Sequence, residues 1–322
     1  MQSVLVPYST LRLTRIGLGC WTLGREYWGD DHDDRRAVKT IHAALAAGIN
    51  WVDTAPLYGR GHADALVRQA LEGRPEVAVA TKVGVRWEGT RSGHAESDLS
   101  PEHIRADCEA SLRRLGRDRI DLLQVHWPDQ GGRRLEDSIA MLQALKDQGL
   151  IRAWGLCNYT SDAVQRARAV GLLSTLQTPY SLLRREFESA LAGEVERPDA
   201  QGETVSVLAY ETLVRGLLTG RYQSMPRFPT SDQRARDERF QGRRFVHARR
   251  LVWDLERVAQ KVRVSVPALA VGWVLSRSGV AAAVVGARTP QQIEQTAGAA
   301  RLAGRAKIWA VVSRLAAIHG GT

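Results

Sequence analysis

Short apolar runs, many of them β-branched, recur along the chain: RIGLGCW (15–21), INWVDTA (49–55), EVAVATKV (76–83), IDLLQVHW (120–127), IRAWGLCNY (151–159), TLQTPYS (175–181), TVSVLAYE (204–211) and AAAVVGAR (281–288). Runs of this kind predict strands buried on both faces, as in a parallel sheet. Between them, DDRRAVKTIHAALAAG (33–48), HADALVRQALEG (62–73), HIRADCEASLRRLG (103–116), LEDSIAMLQALKDQG (135–149) and PQQIEQTAGAARL (290–302) place apolar residues three and four apart. That period predicts amphipathic helices, often closed by glycine. Ser100-Pro101-Glu102 is a helix start, with a hydroxyl cap and a proline in the first turn.

Eight strands alternating with helices make an α/β architecture, and eight is the number that closes a (β/α)8 TIM barrel with all helices outside. An open doubly wound sheet would want a glycine-rich phosphate turn after the first strand. GLGCWTLG (17–24) lacks G-x-G-x-x-G, and no acid follows where a ribose would need it. Two elements stand outside the repeat. VLVPYSTLRLTRIG (4–17) alternates around Ser9-Thr10, predicting an N-terminal β-hairpin under the barrel, and AKIWAVVSRLAAIHGG (306–321) predicts an extra C-terminal helix. Length alone allows two domains, but α/β barrels of this size run as one, so residues 1–322 read as a single barrel domain.

The connections 84–100, 128–134 and 222–244 are long and follow strands, which puts them at the mouth where barrel enzymes keep their sites. MPRFPTSDQRARDERFQGRRF (225–245) is too polar for a core. It reads equally as a disordered surface insertion or as a mobile lid.

Charge and cysteine usage narrow the class. The formal charge is +10, but the basic residues are interleaved with acids, which favours anionic small molecules and gives no nucleic-acid motif or aromatic-basic run. Cys20, Cys108 and Cys157 are far apart, odd in number and without zinc-site spacing, as expected for reduced thiols in a cytoplasmic protein with no metal. No targeting segment or membrane-span-length window is expected, and the protein reads as a monomer or small homo-oligomer.

The chemistry gathers at the strand ends. Taken alone, Asp53 in WVDTAPLYG ends a strand and Tyr58 packs over a turn. In a barrel, however, Asp53, Lys82 in ATKV, His126 in QVHW and Tyr58 all converge on one mouth. A lysine in an apolar strand is costly to bury unless paired, and Asp53 is its natural partner. Lys82 would then draw the Tyr58 phenol below its usual pKa of about 10, and His126 would orient a carbonyl oxygen.

At these motifs the chain resembles a known family. DTAPLYG, ATKVG, LLQVHWPD, GLCNY, QTPYSLL and GARTPQQ are similar to successive signatures of the aldo-keto reductases over nearly the whole chain. Within the family the likeness is to the bacterial branch of inositol-operon and general-stress reductases, akin to potassium-channel β subunits, and FQGRRF (240–245) is part of it.

The resemblance implies metal-free reduction of an aldehyde or ketone by NADPH. It makes Tyr58 the general acid, Lys82 and Asp53 its tuning pair, and His126 the group that orients the carbonyl. It also implies that Asn158 and Gln177 bind the carboxamide, that Tyr210 stacks on the nicotinamide, and that Trp21 and Asp53 touch the cofactor. ETLVRGLLTGR (211–221), with Leu213, Arg215, Gly216 and Leu217, would wrap the pyrophosphate, while Gly286, Arg288 and Gln292 would take the adenosine end and its 2′-phosphate.

The chain departs from the family pattern at Cys157 for serine, Glu211-Thr212 for Ser-Pro, and Gln295-Thr296 for Glu-Asn. Trp28, Trp87 and Trp127 are expected to wall a substrate pocket for a small, sugar-like or cyclic carbonyl, and Arg86, Arg184 or Arg185 could select an anionic one. A second reading is an NADP(H)-bound regulatory or redox-sensor protein with slow turnover.

Overall fold

The computed structural model describes residues 1–87, 95–302 and 304–319. The N-terminal alternation folds into the expected hairpin, β1 (Ser3–Leu5) antiparallel to β2 (Arg12–Thr14). Three strands follow, β3 (Ile16–Gly19), β4 (Trp51–Asp53) and β5 (Ala78–Val83). Then comes a small antiparallel pair, β6 (Val85–Arg86) and β7 (Glu96–Ser97). The chain continues through β8 (Ile120–Val125), β9 (Ile151–Cys157), β10 (Thr175–Pro179), β11 (Ser206–Tyr210) and β12 (Val280–Gly286). Strands β3, β4, β5, β8, β9, β10, β11 and β12 pair in parallel in that order, and β12 closes on β3. This is the predicted (β/α)8 TIM barrel, with every predicted strand in its place.

Side-chain alternation divides the barrel interior into two storeys. Near the floor, Trp51, Ala80, Leu122, Ala153, Leu208 and Ala282 form a dry plug sealed by Val6, Leu11 and Leu13 of the hairpin. Two residues further along the same strands the inward positions are Asp53, Lys82, Gln124 and Tyr210, so the period of two that builds the floor also lifts polar groups to the mouth. The opposite strand faces pack on the helices in a second, larger core.

Helix starts obey local chemistry. Asp33 accepts from the Arg36 N–H to begin the helix Asp34–Ala46, and Ser100 accepts from the His103 N–H at 3.3 Å to begin Pro101–Leu115. Helix Val266–Leu275 has no amphipathic period because all ten of its residues are buried. No single helix among the described residues is long and apolar enough to cross a membrane.

The segment 225–245 is neither a plain insertion nor free of structure. Asp232, Arg234, Phe240 and Phe245 in it are buried, and helix Gly242–Val262 begins inside it. Its polar composition hides ion pairs that satisfy one another internally. Of the long connection 84–100, residues 88–94 lie outside the described residues.

The floor tolerates little. A Cβ on Gly17 would stand 2.2 Å from the buried Trp51 ring, whereas one on Gly193 meets nothing within 4 Å. Gly17→Ala is therefore expected to cost about 1–3 kcal/mol in urea unfolding, with Gly193→Ala neutral or slightly stabilising.

Candidate active site

The centre of the polar storey is the Asp53 carboxylate. Lys82 Nζ donates to its Oδ1 at 2.6 Å, and Gln177 and Gln124 donate to its Oδ2 at 2.8 and 3.4 Å. Lys82, 1% exposed, donates its other two hydrogens to the Thr54 carbonyl and the Tyr58 hydroxyl oxygen, both at 3.0 Å. A buried ammonium has three N–H groups to satisfy, and here each has an oxygen.

Tyr58 is set by its turn. Gly59 follows with φ +63°, and a Cβ there would sit 2.0 Å from the Gly24 carbonyl oxygen, so the turn rests backbone to backbone on the loop after β3. His126 follows β8, donates its backbone N–H to Val83 at 3.0 Å, and stacks its ring on Trp127 with centroids 4.7 Å apart. Its ring also meets the Tyr58 ring edge-on at 5.9 Å. The four strand-end groups read from the sequence thus meet at one point.

They line one end of a cavity of about 840 Å³. Trp21, Asn158, Gln177, Tyr210, Leu213, Arg215 and Gly216 border it, as do Gly286, Arg288 and Gln292 at its far end. Trp28 and Trp127 are on its wall, but two expected residues are not. Leu217 points into the core at 3% exposure, and Trp87 is half-buried beyond β6 and off the cavity lining. Asn158 holds φ +67°, donates to the His126 carbonyl at 3.1 Å and accepts from the Tyr210 hydroxyl at 2.8 Å. Gln177 commits its nitrogen to Asp53, and its Oε1 lies 3.5 Å from the Cys157 thiol.

The segment after β11 turns sharply, with positive φ at Glu211, Val214, Arg215 and Gly216. Glu211, at the position where the family pattern has serine, is buried beneath Arg184 (3.0 Å), Arg215 (2.9 Å) and Arg239 (3.2 Å). Arg184 therefore reaches the cavity already paired, while Arg185 pairs with Glu188 and Arg86 lies 3.9 Å from Asp98.

Segment 228–234 crosses the mouth. Trp28 bridges Asp232, the Gln233 N–H donates to Tyr27 at 3.0 Å, and Arg234 sits over the Trp28 and Phe228 rings at 5.2 and 4.4 Å. Arg221 and Arg234 also stand on the cavity wall; Arg221 closes the loop ETLVRGLLTGR, and Arg234 belongs to the segment across the mouth. Among the described residues Arg221 makes no ion pair, and its guanidinium sits over the Tyr222 ring at 5.7 Å.

Residues 15–313 match the Aldo/keto reductase family model. The chain belongs to this family. It is 36% identical over 299 residues to aldo-keto reductase YhdN of Bacillus subtilis, covering 91% of this chain and 87% of that one. It is 32% identical over 311 residues to the NADH-specific methylglyoxal reductase of Escherichia coli, covering 93% of each. The glycerol dehydrogenase AKR11B4 of Gluconobacter oxydans superposes with a TM-score of 0.88 at 36% identity, over 99% of this chain and 97% of that one. The chain is accordingly an NAD(P)H-dependent oxidoreductase of bacterial aldo/keto reductase type.

Electrostatics in the enzyme differ from the sequence expectation at one residue. Burial pushes the Tyr58 phenol above its usual value, and Lys82 offsets this only in part, with Asp53 adding to the rise. The phenol therefore stays protonated through the neutral range, because removing its water costs more than one ammonium, itself neutralised by Asp53, returns. Burial is the largest single influence on Lys82 and opposes its charge, but Asp53, Tyr58 and Cys157 together outweigh it and hold the ammonium above its usual pKa. Burial, aided by Lys82, pushes the His126 imidazole well below its usual value, so it is neutral and has one ring N–H to donate.

That depressed value has a sign. Below about pH 6.5 the unfolded chain takes up a proton at residue 126 that the folded enzyme refuses, so folding stability falls as the pH drops. Between pH 6.5 and 5 the loss at this site is expected to approach about 1.4 kcal/mol per pH unit. Urea midpoints of wild type and His126→Asn across that range check it: the variant's curve should be flatter by up to one proton.

Proposed function

We propose that the chain reduces a small aldehyde or ketone to the alcohol with NADPH, with Tyr58 as general acid, and that residues 1–322 work as one domain. The observation that carries the reading is the direction of one hydrogen bond. Lys82 donates to the Tyr58 oxygen, so the phenolic hydrogen is free to be donated into the cavity. The neutral His126 supplies a second donor beside it, and the two would hold a carbonyl oxygen between them.

The residues present fit a nicotinamide dinucleotide. The cavity joins the Tyr58 end to the start of helix Pro290–Ala297 in one space and has arginines 184, 215, 221, 234 and 288 on its wall. Gly216 leaves room for close approach, since a Cβ there would meet only Tyr222, its hydroxyl at 3.8 Å. Arg221, which meets no carboxylate among the described residues, suits the pyrophosphate. Tyr210 would pack on the nicotinamide ring, and Asn158 with the Gln177 carbonyl oxygen would orient its carboxamide.

When bound, the cofactor supplies hydride to the carbonyl carbon. Tyr58 passes its proton to the oxygen, Lys82 keeps the resulting phenolate paired, and Asp53 holds Lys82 in place. Trp28 and Trp127 wall the substrate side, and the names of the methylglyoxal and glycerol enzymes among the relatives fit a small, oxygen-rich carbonyl.

Tyr58→Phe should lower the single-turnover reduction rate about 10²- to 10⁴-fold while the cofactor dissociation constant changes less than twofold. More than a tenth of the wild-type rate would defeat the assignment. For cofactor choice, Arg288 is half-buried at the helix start, where a guanidinium and helix dipole favour a phosphate. NADPH is expected to bind roughly ten- to a hundredfold tighter than NADH, and Arg288→Ala to erase most of that gap, as read by fluorescence quenching. Equal affinities in the wild type would align the chain with its NADH-specific relative instead.

A further inference from the structure

The guanidinium assigned to the 2′-phosphate already has an anion. Arg288 Nη2 lies 3.3 Å from the Asp31 carboxylate and donates to the Asp31 carbonyl, while Nη1 reaches the Trp28 carbonyl at 3.5 Å. Asp31 belongs to the loop between β3 and helix Asp34–Ala46. Of its acidic neighbours, Asp33 caps that helix, and Asp34 takes His62 at 2.9 Å and Arg25. Asp31 is also held by Arg36 at 2.8 Å, so its carboxylate is fixed beside Arg288, although its side chain is 72% exposed.

We infer that Asp31 is a specificity-determining residue that limits the preference for NADPH. Its carboxylate occupies one edge of the Arg288 fork and adds a negative charge within reach of any phosphate that the fork would take. NADH carries a neutral 2′-hydroxyl there in place of the phosphate, which a carboxylate does not repel. The inference rests on the proposed placement of the 2′-phosphate at Arg288. It concerns the gap between the two cofactors and leaves the chemistry at Tyr58 untouched.

The test is the pair of dissociation constants for NADPH and NADH, by fluorescence quenching, in wild type, Asp31→Asn, Arg288→Ala and the double variant. Asp31→Asn keeps the main-chain acceptor and the loop shape and removes only the charge. NADPH should bind about three- to tenfold tighter and NADH should stay within twofold, a gain that shrinks in 0.5 M salt and vanishes in the double variant. A ratio lost in Arg288→Ala yet unchanged in Asp31→Asn overturns the role of Asp31 alone. A wild-type ratio in Arg288→Ala overturns the phosphate placement and the role of Asp31 with it. Equal tightening of both cofactors by Asp31→Asn would mean that the loop opened, and this too overturns the charge argument.

Discussion

The ion pair between Asp53 and Lys82 at 2.6 Å organises the mouth of the barrel. Both charges are removed from water, a cost of several kcal/mol each that only dense hydrogen bonding can offset. The surrounding residues are chosen accordingly. Two glutamines from different strands serve the carboxylate, and a carbonyl and a phenol serve the ammonium. Tyr58 is thereby fixed as the last acceptor in a saturated cluster, and its own hydrogen is the part left over. The polarity of that chain, carboxylate to ammonium to phenol, gives the site its direction.

Much of this is legible in sequence because strands obey a period of two. A carboxylate two residues beyond Trp51 and a lysine two beyond Ala80 must face the same interior, and a closed barrel brings them together. What the spacing could not reveal was the balance of energies at Tyr58. The presence of Lys82 predicts a lowered pKa, but burial acts in the opposite direction and depends on how completely the folded strand ends exclude water. That is a tertiary quantity. Helix Val266–Leu275 escaped for a related reason, since a segment buried on every side has no period to detect.

The strap shows the reverse failure. Its arginines and aspartates make 225–245 read as surface, yet Arg234 is buried by pairing with Asp232 at 2.5 Å and by stacking on aromatic rings. Local charge pairing let a polar stretch pack, and hydropathy alone cannot see pairing. Glu211 follows the same rule: a lone acid in sequence, it is the meeting point of three arginines in the fold.

The contact between Gly59 and Gly24 ties the turn that carries the phenol to the loop that leads to Trp28. Main chain rests on main chain there, with no side chain between them to bend or swing aside. The proton donor and the pocket wall behave mechanically as a single jaw. The dimensional tolerance for a reacting carbonyl is therefore set by a rigid gauge, and variation in what the enzyme accepts must come from the other side of the cavity.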